Sequence, residues 1–298
     1  PEGGPMGPAG GTGPGEGHPR GRFSGTGPRG RRRSMGERPP GQGMWRGVQL
    51  RAATELLEDL RAEDPHERRY RHLLALCYRE RGPGRMWMRR DGDDTQQRAI
   101  ELLGGLVAEF PQEPEYRYDL AEALARVGGP GMRRAPTDPA EAERRLKRAL
   151  ELSQELLSEH PFIPRYASGQ AHILHRLAIL LRDGGRIEEA EMHLRRAIAV
   201  QEVLVEQFAE SAYYRIWLAV FRGSLAETLL ATGRQGQGRS LLEATNSMLE
   251  ALLAEQPDLW FLRMMVRRNR ELMERPERAL PHLRPPPAPD AAAPPLRH

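Results

Sequence analysis

Five times along this chain an apolar stretch ends at a breaker and is followed by an aromatic–basic pair. The breakers are Pro65, Pro111, Pro161, Ala209 in Phe-Ala-Glu, and Pro257, at spacings of 46, 50, 48 and 48. Five residues past each come Tyr70, Tyr116, Tyr166, Tyr214 and Leu262, and next to these Arg71, Arg117, Ala167, Arg215 and Arg263. Upstream, the same register holds Ala53, Ala99, Ala149, Ala197 and Thr245, and seven residues later Leu60, Leu106, Leu156, Leu204 and Leu252. A unit of this length cannot bury its apolar face alone, so the chain must stack its units.

Within each unit the apolar spacing is helical, as in Ala197, Val200 and Leu204 or Leu218, Phe221, Leu225 and Leu229. Gly82-Pro83-Gly84, Gly128-Gly129-Pro130-Gly131, Asp183-Gly184-Gly185 and Thr232-Gly233 end helices, and the breakers start the next ones. This punctuation predicts ten helices, over 46–63, 66–81, 94–109, 114–127, 138–159, 164–182, 186–208, 211–231, 236–255 and 258–275. The expected fold is all-α: a solenoid of about five antiparallel helix pairs.

Composition sets the margins. Residues 1–45 hold 15 Gly and 8 Pro with few apolar residues, and 276–298 hold 8 Pro, including Pro285-Pro286-Pro287. The expected organisation is a disordered Gly/Pro/Arg-rich arm over 1–45, a repeat domain over 46–275 and a disordered Pro-rich tail over 276–298. The arm has 7 Arg against Glu2, Glu16 and Glu37, leaving 38 basic and 38 acidic residues elsewhere. The basic surplus therefore sits in the arm and does not mark a nucleic-acid-binding face on the folded part.

Several chemistries are excluded. Lys147 is the only lysine, and it lies in the helical run Arg-Arg-Leu-Lys-Arg-Ala-Leu, so a P-loop, a kinase strand lysine and a Schiff-base lysine have no candidate. Cys77 alone cannot form an intramolecular disulfide or a multi-thiolate zinc site. No cofactor motif stands: Gly25-Thr26-Gly27-Pro28-Arg29-Gly30 has the dinucleotide-binding spacing without a preceding strand. Neither a membrane span nor a signal peptide is visible, which favours a soluble, cytoplasmic chain. Pro1 follows a removed Met or is the cut edge of a longer protein; the sequence leaves both open.

Glu188-Glu189-Ala190-Glu191-Met192-His193-Leu194-Arg195-Arg196-Ala197-Ile198, and its earlier copy from Ala140 to Leu150, resemble the second helix of tetratricopeptide (TPR) repeats. Leu120-Ala121 and Leu218-Ala219 resemble the Leu-Gly pair of that family's first helix. The period is longer than the family's usual one, by about two turns on each helix of a pair. Long repeats with Gln201-Glu202-Val203-Leu204-Val205-Glu206-Gln207-Phe208 and Tyr214-Arg215 resemble those attached to bacterial Ser/Thr protein kinases and related signalling proteins.

The resemblance implies a TPR-like superhelix whose partners lie in a groove lined by the helices after each breaker. Carried over by register, the groove positions are Arg69, His72, Leu76 and Arg79; Glu115, Tyr118 and Glu122; Arg165, Ser168 and His172; Tyr213, Ile216 and Val220; and Phe261, Met264 and Arg268. The front is charged and the rear apolar, which suits a peptide with an acidic end and an apolar end. The alternative is that Tyr213, Ile216 and Phe261 pack against their neighbours. The family's carboxylate clamp is not matched, because its positions read His72, Leu76, Tyr118 and Glu122.

Other features favour plain readings. A Tyr-Arg recurring once per unit is what a structural requirement predicts, with Tyr in the inter-repeat seam and Arg bridging a neighbour. His172 and His175, one turn apart, lack a third ligand and read as a surface or groove pair rather than a metal site. Arg29 to Ser34 is a basic stretch able to touch nucleic acid or anionic lipid by charge alone, and the loops 82–93 and 128–137 offer a second surface or fold back on their own repeats. The sequence thus favours a non-enzymatic scaffold binding a protein or peptide, in bacterial signalling or assembly. Two alternatives remain: the regulatory region of a larger Ser/Thr kinase or similar signalling protein, and a nucleic-acid- or envelope-associated protein working through its basic arm. Oligomeric state is not legible.

Overall fold

The computed structural model describes residues 42–81, 91–126 and 138–280, the side chains of 42–46, 81 and 91–94 excepted. Among the described residues there are ten α-helices and no strand: α1 (Gln42–Glu63), α2 (Arg68–Arg81), α3 (Asp91–Glu109), α4 (Pro114–Ala125), α5 (Pro139–Glu159), α6 (Pro164–Asp183), α7 (Ile187–Gln207), α8 (Ala212–Ala231), α9 (Gln235–Glu255) and α10 (Trp260–Glu274). The arm up to residue 41 with its two motifs, the loop segments 82–90 and 127–137, and the tail from 281 lie outside the described residues.

Local chemistry sets the helix ends. Pro114, Pro139 and Pro164 occupy first-turn positions where their missing N–H costs nothing, and Asp138 caps α5 through the Ala140 amide. Between odd and even helices a tight turn recurs: the amides of Phe110, His160, Phe208 and Gln256 bond back to the carbonyls of Leu106, Leu156, Leu204 and Leu252. Gly185 and Gly233 adopt φ of 81° and 83°, a left-handed conformation that lets the chain reverse after α6 and α8.

Each helix packs on the next, and a continuous core runs from Ala75 on α2 through Leu103, Leu146, Leu174 and Leu194 to Phe221 on α8. A second cluster, Ala219, Leu249, Leu252, Leu262 and Val266, joins α8 to α9 and α10. The even-numbered helices also touch one another, as α2–α4, α4–α6 and α6–α8, which puts them on the inner side of the stack. This is the α-helical repeat fold expected from the period.

Some details differ from expectation. The extra length falls on both helices in the third and fourth pairs, where α6 and α8 have 20 residues beside partners of 21, whereas α2, α4 and α10 have 14, 12 and 15. Helix α1 starts at Gln42 rather than 46. Pro276–Leu280, expected in the tail, continue past α10 as a short 3-10 turn, and Ala279 is buried among Ala226, Leu230, Leu242 and Leu272.

Candidate functional site: the inner face of the even helices

The charged front of the face is spent largely on itself. His72 Nε2 donates to Asp119 Oδ2 at 2.7 Å and Arg79 Nη1 donates to Asp119 Oδ1 at 2.6 Å, so two predicted groove residues on α2 converge on one buried carboxylate of α4. Burial alone would raise the Asp119 carboxyl, but hydrogen bonds and charge from His72 and Arg79 overcome this and hold it below the usual range. One repeat apart, Arg126 donates to the Arg79 carbonyl at 2.8 Å and Arg176 to the Ala125 carbonyl at 2.9 Å, each capping the C-terminal end of the preceding even helix. Arg69 stays exposed at the start of α2.

At the centre, the Arg165 guanidinium lies 4.9 Å from the Tyr118 ring centroid and 5.1 Å from that of Tyr166, with Glu115 3.9 Å away. Burial pushes the Tyr118 hydroxyl up to about 12 and raises the Glu122 carboxyl despite the nearby positive charges of Arg176, Arg79 and Arg126. Gly169 makes this approach possible, since a Cβ there would lie 3.1 Å from Tyr118 Cε2 and 3.3 Å from Glu122 Oε1. The shallow hollow among α4, α5 and α6, lined by Tyr118, Glu122, Ser153, Tyr166, Gly169 and Gln170, amounts to about 190 Å³ with the open solvent above it counted in. That is smaller than a typical small-molecule pocket of about 300 Å³ or more.

Towards the rear, α6 and α8 build an aromatic layer. His172 stacks on Trp217 with centroids 4.3 Å apart, and Trp217 in turn lies 5.9 Å from Phe221. His175 hydrogen-bonds Ser224 Oγ at 2.8 Å with its ring 4.9 Å from Phe221. Burial lowers His172 to about 4 and His175 to about 3, so both imidazoles are neutral at pH 7. The surface half of the surface-or-groove reading is thereby corrected: both rings lie against Phe221, 5.7 and 4.9 Å from its centroid, and both side chains are partly buried. No group of three His, Cys, Asp or Glu side chains able to hold a metal occurs among the described residues.

The remaining positions divide. Ile216 and Phe261 pack, partly buried, against the α8–α10 cluster, and Val220 against the main core. Ser168 is buried. Tyr213 on α8 and Met264 on α10 stand 51% and 48% exposed. Arg268 reaches back to Glu227 Oε1 of α8 at 2.7 Å.

Asp119, Trp217, Arg126 and Arg176 were missed by sequence reasoning, although the register contained them. Leu73, Asp119, Gly169, Trp217 and Met265 form one column at the same spacings as the breakers, and Arg126 and Arg176 lie one repeat apart. The carry-over of groove positions selected neighbouring columns and passed over these.

No protein-family model matches the chain, and no curated protein matches it. Among solved structures it is similar to a thermophilic TPR protein in Thermus thermophilus, at 18% identity over 77% of this chain and 95% of that one, with a TM-score of 0.41. The fold assignment stands on the chain itself: repeated helix pairs, their recurring turns and a continuous core define a helical-repeat protein of TPR-like build. No described helix is long and apolar enough to cross a membrane.

Proposed function

We propose that the chain is an interaction scaffold whose inner face holds a protein or peptide, in bacterial signalling or assembly. The observation that carries this reading is the exposure of Tyr213 at 51% beside a layer in which His172 and Trp217, both partly buried, pack on the buried Phe221. A half-exposed aromatic on a rigid aromatic floor is the kind of anchor that dominates protein interfaces. Met264 extends the apolar end, while Arg69 and Arg165 supply exposed positive charge at the other. A ligand with an acidic segment over α2–α6 and an apolar one over α8–α10 fits this gradient. Ordered complementarity over a stack of helices is the established use of repeat architectures, and it needs no bond chemistry.

The test is site-specific photo-crosslinking in the source cells. A photoreactive residue at Tyr213 should give a discrete adduct that the same residue at Val203, on α7, does not. With the partner then purified, Tyr213→Ala should weaken binding at least tenfold without changing thermal unfolding. Equal adducts at both positions, or none at Tyr213, would remove the inner face as the binding surface. Intact mass in the same extracts separates a stand-alone adaptor from the regulatory part of a larger kinase-like protein. Binding through the basic arm would instead weaken steeply with salt.

A further inference from the structure

We propose that Ser168 and His172, on the inner side of α6, form a receptor for a primary carboxamide, the group on the asparagine and glutamine side chains of a partner. The proposal rests on the inner-face reading and names a group that this face grips. Two orphaned atoms carry the argument. Ser168 is 5% exposed, and its Oγ and His172 Nε2 are both closed to solvent without a hydrogen-bond partner. Other buried helical hydroxyls turn back onto their own helix: Thr54 donates to the Leu50 carbonyl, Ser153 to that of Leu150, Thr228 to that of Ser224 and Thr245 to that of Leu241. Ser168 makes no such bond. Unpaired polar atoms in a folded interior are costly, and native chains leave few of them.

Packing does not call for polar groups here. One repeat on, the positions of Ser168 and His172 are held by Ile216 and Val220 on α8, which pack against the core without a polar atom.

The chemistry of the pair selects the ligand group. The two side chains lie one helical turn apart on the same face, with Cβ atoms about 5–6 Å from each other. The rings against His172, those of Tyr213, Trp217 and Phe221, carry no charge, and His172 is itself neutral at pH 7. A neutral group therefore loses least on leaving water here, whereas a carboxylate or an ammonium finds no opposite charge among these rings. A neutral imidazole has one donor and one acceptor nitrogen, and a serine hydroxyl does both. A carboxamide carries an acceptor oxygen and a donor nitrogen side by side on one carbon, so it satisfies both atoms whichever ring nitrogen holds the proton. A backbone amide points its two groups to opposite sides and meets only one of them.

Tyr213 is the cover. In the first turn of α8 and 51% exposed, it lies 6.3 Å from the His172 ring, centroid to centroid. Its hydroxyl lies near Ser168 and Trp217 but makes no hydrogen bond to Ser168 Oγ. Turning this ring outward opens both orphaned atoms to the ligand.

Propionamide is the probe, read by the imidazole and indole nitrogen signals of the full chain in NMR. It should shift the His172 ring nitrogens saturably, with a dissociation constant of about 10–100 mM, as expected for so small a ligand. Propionate and propylammonium, charged relatives of the same size, should leave them in place. Tyr213→Ala should tighten propionamide about threefold or more by removing the cover. Ser168→Ala should weaken it about fivefold or more without lowering the thermal midpoint, because the lost hydroxyl has no partner in the folded chain. His172→Phe keeps the ring stack and should abolish the propionamide shift at the Trp217 indole. No shift at any concentration, equal shifts from all three probes, binding unaltered by Ser168→Ala, or a midpoint lowered by that change would each overturn the proposal. The probe needs no natural partner, so its failure strikes this site alone, whereas the absence of an adduct at Tyr213 strikes the scaffold reading.

Discussion

Arg117 on α4 and Glu159 at the end of α5 form a two-pronged ion pair, with Nη1 donating to Oε1 at 2.7 Å and Nη2 to Oε2 at 2.5 Å. The same geometry recurs as Arg71–Glu109 and Arg215–Glu255. In the third unit both partners are absent together, with Ala167 standing for the arginine and Gln207 for the glutamate. Loss of one partner alone would leave a buried guanidinium unpaired or a carboxylate without its donor. The Tyr-Arg repeated along the sequence is therefore an inter-pair clasp: the arginine bridges forward to the following odd helix.

The clasp is unequal in its two halves. Arg117 is buried, whereas Glu159 is largely exposed. Glu159→Gln should lower the thermal midpoint more than Arg117→Met, because only the first leaves a buried charge without its partner. Installing Ala167→Arg and Gln207→Glu together should stabilise by about 0.5 kcal/mol more than the two single changes sum to. A double-mutant cycle by urea unfolding measures both, and a coupling of zero would show that the third unit lacks the geometry.

The two buried histidines make stability depend on pH. Their folded values, about 4 for His172 and about 3 for His175, lie below the ordinary 6.5, so the unfolded chain binds protons that the folded chain refuses. Their contribution is fully present above pH 6.5 and is lost as pH falls below it, by up to about 1.4 kcal/mol per pH unit for each imidazole. The clasp carboxylates Glu109, Glu159 and Glu255 are held low by hydrogen bonds from their arginines, so their contribution falls away only below about pH 4.5. Urea unfolding between pH 4.5 and 7.5 should show the histidine slope, and His175→Gln should remove part of it. An unchanged slope in that variant would mean His175 takes up a proton in the folded state.

Two helical glycines should respond oppositely to alanine. A Cβ on Gly238 would lie 2.7 Å from Leu230 Cγ and 3.2 Å from the Ala226 carbonyl oxygen, so Gly238→Ala must push α9 away from α8. It should destabilise by about 1–3 kcal/mol, outweighing the helix-propensity gain. Gly105, exposed on α3 with nothing within 4 Å of its Cβ position, should gain about 0.5–1 kcal/mol from the same change. Thermal unfolding of the two variants decides the matter.

The segment after α10 offers a further check. Ala279 is buried against Ala226, Leu230, Leu242 and Leu272, so Ala279→Asp places an unpaired carboxylate in an apolar setting and should cost at least about 2 kcal/mol. A midpoint equal to that of the parent would show that Pro276–Leu280 do not belong to the folded unit.

Helix positions and pairing were legible because breaker spacing and apolar periodicity repeat five times, and tertiary packing reinforces the same pattern. What escaped were the contacts between units. Asp119 looks like an ordinary surface carboxylate until α2 brings His72 and Arg79 onto it. His172 and His175 look like an exposed one-turn pair, but α8 brings Trp217, Phe221 and Ser224 onto them, so both rings lie against Phe221. Ile216 and Phe261 read as ligand anchors or as packing residues, and their contacts with the α8–α10 cluster depend on how α8, α9 and α10 meet, which the pattern does not give. Pattern gives the period; which side of a column faces the preceding pair depends on packing.

Arg267 provides the sharpest test of that last point. Alanine fills its column in the four preceding units, buried each time where one helix pair meets the next. Arg267→Ala restores the methyl group and removes an exposed charge from the α10 edge. At high concentration this variant should self-associate head to tail more than the parent, because the α1–α2 edge of one chain can then seat on the α10 edge of another. Raising salt should not dissolve them, since apolar contact rather than ion pairing would hold the seam. If the variant sediments like the parent at every concentration, Arg267 is not what closes this end, and the exposed Trp260 beside it becomes the residue to change next.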